Sequence, residues 1–296
     1  MMLIALILGL TFEHVATQLL HLRELRWFDG YYDFFLDKAK RAGHWLGYML
    51  IILMLLLLSI PVMYIAYRLQ GTSIRWDLPY LVFAVFVIFL CLGPRDLGTE
   101  VDEYCAAMDA GDEQGAARVL VELTEAHQPW VRDIEVVEEA ILVQAPQRLF
   151  GVVFWFIVLG PAGAWLFRIT DLLRRRAAFE SERDAALAEN VLPAVERIYG
   201  VLAWMPVRLA ALGYALSGSF DDALNGWRSY RRAEDVSFHH SNDQIVARVG
   251  KAAMTGFLDQ PSNSSAAARN AMRLVTRTLF IWVTVIALMT IFGWTV

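Results

Sequence analysis

Charged residues vanish from three stretches of this chain, each long enough to reach across a bilayer. Residues 45–67 read WLGYMLIILMLLLLSIPVMYIAY, 23 positions without Asp, Glu, Lys or Arg, and residues 149–167 and 278–296 are charge-free runs of 19. A hydrocarbon core of about 30 Å takes roughly 20 apolar helical residues. Three further apolar segments are less clean. Residues 1–22 carry Glu13, His14 and His21, residues 78–92 are short and open at Pro79, and residues 198–220 hold Arg208 beside Pro206. The pattern predicts six membrane segments.

Between them the polar stretches read as helices. Residues 101–110 and 112–126 predict a helical hairpin turning at Ala110-Gly111-Asp112, with Ala116, Val119, Leu120 and Leu123 at helical spacing. Residues 133–145 predict another helix, ended near Pro146. Ser241-Asn242-Asp243-Gln244 has capping-box spacing for a helix to about Phe257. Residues 260–265, QPSNSS, are the one linker-like stretch. With no period-two alternation, the expected fold is all-α: a polytopic membrane helical bundle, 1–296 as a single integral-membrane domain, with a polar helical region at 93–148 and cytoplasmic helical hairpins and loops.

Lys and Arg orient the loops. Six full crossings put 17 of them on one side (five in 23–44, four in 93–148, eight in 221–277) against eight on the other (two in 68–77, six in 168–197). The basic side is expected in the cytoplasm, yet Arg174, Arg175 and Arg176 then fall outside. Re-entrant segments at 149–167 and 198–220 remove the conflict, with Gly160-Pro161-Ala162-Gly163 and Met205-Pro206 as breaks. Non-helical backbone at membrane depth needs protein or a cavity to satisfy it, and pairs of Gly/Pro-interrupted segments mark binding sites. Both topologies fit the sequence.

Composition narrows the function. Hydrophobic residues make up 57% and charged residues 19%, so charge concentrates in the loops, and a net charge of −5 gives no basic field for nucleic acid. Cys91 and Cys105 read as free thiols. The N-terminus has neither a basic flank nor a small-residue cleavage site, so a retained helix is expected there. P-loop, dinucleotide-fold, nucleophile-elbow and HExxH signatures are absent. His239-His240 lacks ligands at metal spacing beyond Asp243 and reads as a solvated loop. Asp221-Asp222 reads as the acidic opening of a helix. No metal site is expected.

Charges inside or beside apolar segments carry more. A central membrane charge costs roughly 2.5–3.5 kcal/mol on insertion scales, so Glu13 and Arg208 are expected to face a cavity or each other, or to snorkel to water from a shallower position. Arg148 and Arg168 flank segment 149–167, with Glu139 upstream. Such arginines either anchor helix ends or grip phosphate or carboxylate bidentately. Glu13, Glu139, Arg148, Arg168 and Arg208 are the candidate ligand-binding residues, and none is assigned a catalytic role.

The runs RLFGVVFWFIVLGPAGAWLFRI (148–169) and LAWMPVRLAALGYALSG (202–218) resemble the AmpE family, as do RWFDGYYDFF (26–35), RDLGTEVDEYCAAMDAGDEQGAARVLVEL (95–123) and DDALNGW (221–227). GPxGAxxxR and PxRL are its specific elements. The resemblance implies a multi-pass bacterial inner-membrane signalling protein of β-lactamase induction and cell-wall recycling. It implies AmpD-pathway partners, a small anionic cell-wall or nucleotide ligand, and membership of an oligomer or membrane complex. The superfamily includes CobD/CbiB enzymes, which form an amide bond with ATP. Their further acids and an Asn after the position of Glu139 are replaced here by Val143, Gln144 and Gln147, the aspartates ahead of PxRL align with Tyr199 and Gly200, and the Asn and Asp after GPxGAxxYR become Asp171 and Arg174. Loss of plausible Mg²⁺–ATP ligands favours a regulator without cofactor. An enzyme using ATP and Mg²⁺ on another substrate is the alternative, with an assembly partner of another membrane complex as a third reading.

Overall fold

The computed structural model describes residues 5–6, 28–70, 78–92, 96–124, 133–230, 238–255 and 261–292, and among them there is no strand. The expected all-α class holds. Among the described residues four helical runs are, by length and composition, long and apolar enough to cross a membrane: Trp45–Gln70, Ile134–Ser181, Leu192–Ser217 and Ser264–Ile291. Segment 1–22, with Glu13, lies almost wholly outside the described residues.

The first helix described in full is α1 (Asp29–Ala42), which ends where Gly43 takes a positive φ of 78°, and it is followed by α2 (His44–Gln70) and α3 (Leu78–Cys91). α2 is apolar all round and exposes Leu53, Leu56, Ile60, Met63 and Tyr64, the arrangement expected of a helix solvated by lipid. The predicted polar hairpin is present as α4 (Leu97–Asp109) and α5 (Glu113–Thr124), turning at Gly111 with φ 75°. α6 (Ile134–Ala145) is capped by Asp133, whose side chain accepts from the Glu135 amide at 2.9 Å. One π turn, Pro146–Phe150, joins it to α7 (Gly151–Ser181).

α7 is two limbs rather than one rod. Gly160 sits at φ 66°, ψ −156°, a region open in practice only to glycine, and Pro161 cannot donate back across the break. The chain reverses there. Phe167 lies against Gly151, a Cβ on Gly163 would strike the Trp155 carbonyl, and Gln144 and Gln147 hydrogen-bond Arg175 and Arg174. Those partners are 31 and 27 residues apart in sequence and would be some 40 Å apart on a straight helix. The nine residues from Gly151 to Leu159 span about 14 Å, about half the thickness of a hydrocarbon core.

After α8 (Ala185–Asn190), α9 (Leu192–Ser217) corrects the other expected break: it runs unbroken through Pro206. Pro206 deprives the Leu202 carbonyl of its i+4 donor, and the Trp155 indole Nε1–H supplies a replacement at 3.0 Å. α10 (Phe220–Arg228) begins as expected at Asp221-Asp222, with Ser219 at the cap donating to Asp222 at 2.5 Å. α11 (Phe238–Met254) starts three residues before the expected cap at Ser241 and lies along α9. α12 (Ser264–Ile291) is capped by Asn263, which accepts from the Ala266 amide at 2.8 Å, so it starts 14 residues before its apolar run. The reversing α7 is central, with α2 and α3 against it on one hand and α9 on the other, while α6, α11 and the start of α12 build the polar side.

Candidate functional site

The return limb of α7 places Arg168, Asp171, Arg174 and Arg175 at three- and four-residue spacings, hence on one helix face. That face turns inward. Asp171 is fully buried and accepts from Arg168 Nη1 at 3.2 Å, Arg174 Nη2 at 3.1 Å and Arg175 Nε at 3.0 Å. A lone carboxylate could not remain ionised there; guanidiniums compensate its lost hydration.

The outgoing limb supplies amides and another cation. Gln144 Oε1 accepts from both Arg148 Nε (2.8 Å) and Arg175 Nη2 (3.2 Å), and Arg148 Nη1 reaches the buried Glu100 of α4 at 2.6 Å. Gln147 accepts from Arg174 at 3.4 Å and donates to Asp243 of α11 at 3.3 Å. Asp243 lies 3.4 Å from His239 Nε2; the His239 ring is edge-on to Tyr199, over which the Arg174 guanidinium stacks at 4.9 Å. His239 is therefore buried, not the solvated loop residue expected, because α11 begins early enough to turn it under α9. Arg176 grips Asp33 of α1 through two bonds of 3.1 and 3.0 Å.

The five candidates do not form one cleft. Arg148 and Arg168 join this network, both on the same end of the reversing hairpin. Glu139 stands on the outer face of α6, half exposed and paired with Lys251 at 3.0 Å. Arg208 of α9 donates to Asn242 of α11 (3.1 Å) and to the Trp204 carbonyl (3.0 Å). Glu13 lies outside the described residues. Glu100, Arg174 and Arg175 were missed: the run 174–176 reads as loop charge until it is seen to continue the 168, 171 face by helical spacing.

Among the described residues no group of three His, Cys, Asp or Glu could hold a metal, and every charge-bearing oxygen of Asp171 already receives a guanidinium. The Arg168 Nε is buried with no hydrogen-bond partner. Such a cluster suits a planar or tetrahedral anion with bidentate donors and is poorly suited to a divalent cation.

A family model described as "Regulatory signalling modulator protein AmpE" matches residues 1–296. The chain is 26% identical to "Protein AmpE" of Shigella flexneri over 235 residues, 76% of this chain and 78% of that protein. It is 27% identical over 191 residues (61% of this chain) to "Cobalamin biosynthesis protein CobD" of Chromobacterium violaceum, and 28% over 148 residues (49%) to the protein so named of Stutzerimonas stutzeri. The chain spans 56% and 48% of the lengths of those two. No solved structure matches.

Proposed function

The chain belongs to the AmpE family of membrane proteins, and from that premise we propose that it is a multi-pass inner-membrane regulator that reads a small anionic ligand at the Arg168–Asp171–Arg174–Arg175 cluster. The single observation that carries this reading is the buried Arg168 Nε, left to bond a further acceptor beside a carboxylate that already accepts from three guanidiniums. The resemblance associates the signal with cell-wall recycling and β-lactamase induction, and its ligand with phosphate- or carboxylate-bearing cell-wall fragments.

Topology supports a cytoplasmic ligand. If 149–167 is re-entrant and α9 rests at the interface, with Val201, Met205, Leu209, Leu212 and Leu216 turned to lipid, four crossings remain. Every Lys and Arg except Arg68 and Arg75 then falls on one side, as the positive-inside rule requires.

The alternative, an ATP-dependent amide-forming enzyme, is favoured by the similarity to the CobD proteins. Against it, Val143, Gln144 and Gln147 stand where the resemblance places further acids and an Asn, and here both glutamine amides are occupied by arginines. The test is thermal melting of the purified chain with anhydro-muropeptides, UDP-linked cell-wall precursors, corrinoids and Mg²⁺–ATP, for wild type and Arg175→Gln. A cell-wall fragment or precursor is expected to raise the melting point of wild type and not of the variant. ATP turnover, or a shift with corrinoid alone, would replace this reading with the enzyme.

A further inference from the structure

Away from the cluster, α12 carries Arg269, Arg273 and Arg277 at four-residue spacing, so all three share one face. With Asp102 and Val101 of α4, and Met272 and Thr276 of α12, they line a groove of about 400 Å³. Arg269 is engaged by Asp109 of α4 at 3.0 Å, while Arg273 donates to Asn270 at 3.4 Å.

Depth separates the three. The charge-free run begins at Thr278, directly after Arg277. At about 1.5 Å per residue, Arg273 lies about 6 Å and Arg269 about 12 Å further from the hydrocarbon edge. A headgroup layer is roughly 5–8 Å thick on each side, which takes in Arg277 and Arg273 and leaves Arg269 beyond it. On the other side of Thr278 the same face continues as Phe280 (68% exposed), Thr284, Leu288 (49%) and Ile291 (76%). The Thr284 hydroxyl is satisfied by the Phe280 carbonyl at 2.8 Å, so the stripe makes no polar demand on what covers it.

We propose that this groove is a specific site for an anionic phospholipid, with Arg273 and Arg277 gripping the headgroup phosphate and an acyl chain lying along Phe280, Leu288 and Ile291. A basic stripe that turns apolar at the hydrocarbon edge matches the order of a phospholipid's own parts. Asp102 opposite the arginines disfavours a second negative charge, which selects a singly charged phosphodiester over free phosphate. Lipid here would clamp α4 to α12, and α4 also carries Glu100, the partner of Arg148.

The experiment is a melting titration of the full chain in mild detergent with dihexanoyl phosphatidylglycerol, dihexanoyl phosphatidylcholine and inorganic phosphate at constant ionic strength. Phosphatidylglycerol is expected to stabilise and the other two are not. The double variant Arg273→Gln/Arg277→Gln should weaken the response about thirtyfold, and Arg273→Lys/Arg277→Lys should retain most of it. Both arginines are exposed, so folding is expected to survive; should the Gln variant misfold, the three wild-type arms and the Lys variant still decide. Arg175→Gln, which tests the buried cluster, should leave the lipid response unchanged. Equal stabilisation by phosphatidylcholine, an inorganic phosphate response matching phosphatidylglycerol, or an unchanged response in the folded Gln variant would overturn the site.

Discussion

Replacing Asp171 by Asn removes one negative charge and one acceptor oxygen while leaving the size of the side chain almost intact, so the outcome reports the ion pairing rather than a cavity. In the wild type that carboxylate accepts from three guanidiniums at 3.0–3.2 Å with no exposure to solvent. Breaking a buried ion pair by removing one partner costs about 3–5 kcal/mol, because the remaining charge stays desolvated. With a melting point moving about 2–4 °C per kcal/mol in chains of 150–250 residues, the expected loss is roughly 6–20 °C. The assay is scanning fluorimetry of the detergent-purified protein, with Glu139→Gln as control. Glu139 pairs with Lys251 at the surface, where such pairs contribute under about 1 kcal/mol. A variant melting within about 2 °C of wild type, or no lower than Glu139→Gln, would refute the claim that this carboxylate holds the arginine cluster.

Other consequences can be checked separately. Gly160→Ala forces a side chain into a glycine-only conformation at the reversal, so a loss of about 1–3 kcal/mol is expected, read as a lower melting point and lower membrane yield. Trp155→Phe leaves the Leu202 carbonyl freed by Pro206 without its donor, costing about 1–3 kcal/mol; Pro206→Ala, which restores the helical amide, should recover most of that loss in the double variant. Asp184 is held below the usual carboxylate range by its bond to Lys40 and by the Leu187 and Ala186 amides. Its contribution is therefore present above the unfolded carboxylate pKa and lost as pH falls through the lower folded value. The melting gap between wild type and Asp184→Asn should persist at neutral pH and close in acid. Cysteines at Arg183 and Ser229 should both react only with reagent admitted to the cytoplasm; labelling of either from outside the cell would exclude the re-entrant topology.

Much of the fold is written locally. Charge-free length names the membrane solvent, and helical spacing with Gly111 and Asp133 places the polar helices within a few residues, because caps and periodicity act over one or two turns. Gly160-Pro161 is legible as a break for the same reason: no other residue adopts that backbone. Met205-Pro206 looks equivalent in sequence yet is not a break. What distinguishes them is Trp155, 51 residues before Pro206, whose indole replaces the missing donor.

The candidate site shows the same division. Arg148 and Arg168 stand out by position, and the sequence by itself places them at the two ends of an apolar run. It does not bring them to one side, because that depends on the chain reversing between them. Nor does it separate Glu139, turned outward to Lys251, from Glu100, buried against Arg148, since both are acids on amphipathic helices. Composition and period determined the class, the solvent and the elements of this protein, all properties of residues near one another in the chain. The pairing of charges across the hairpin, and so the cluster itself, was decided only by tertiary structure. Burial sets which ions must find partners, and burial is a property of the assembled bundle.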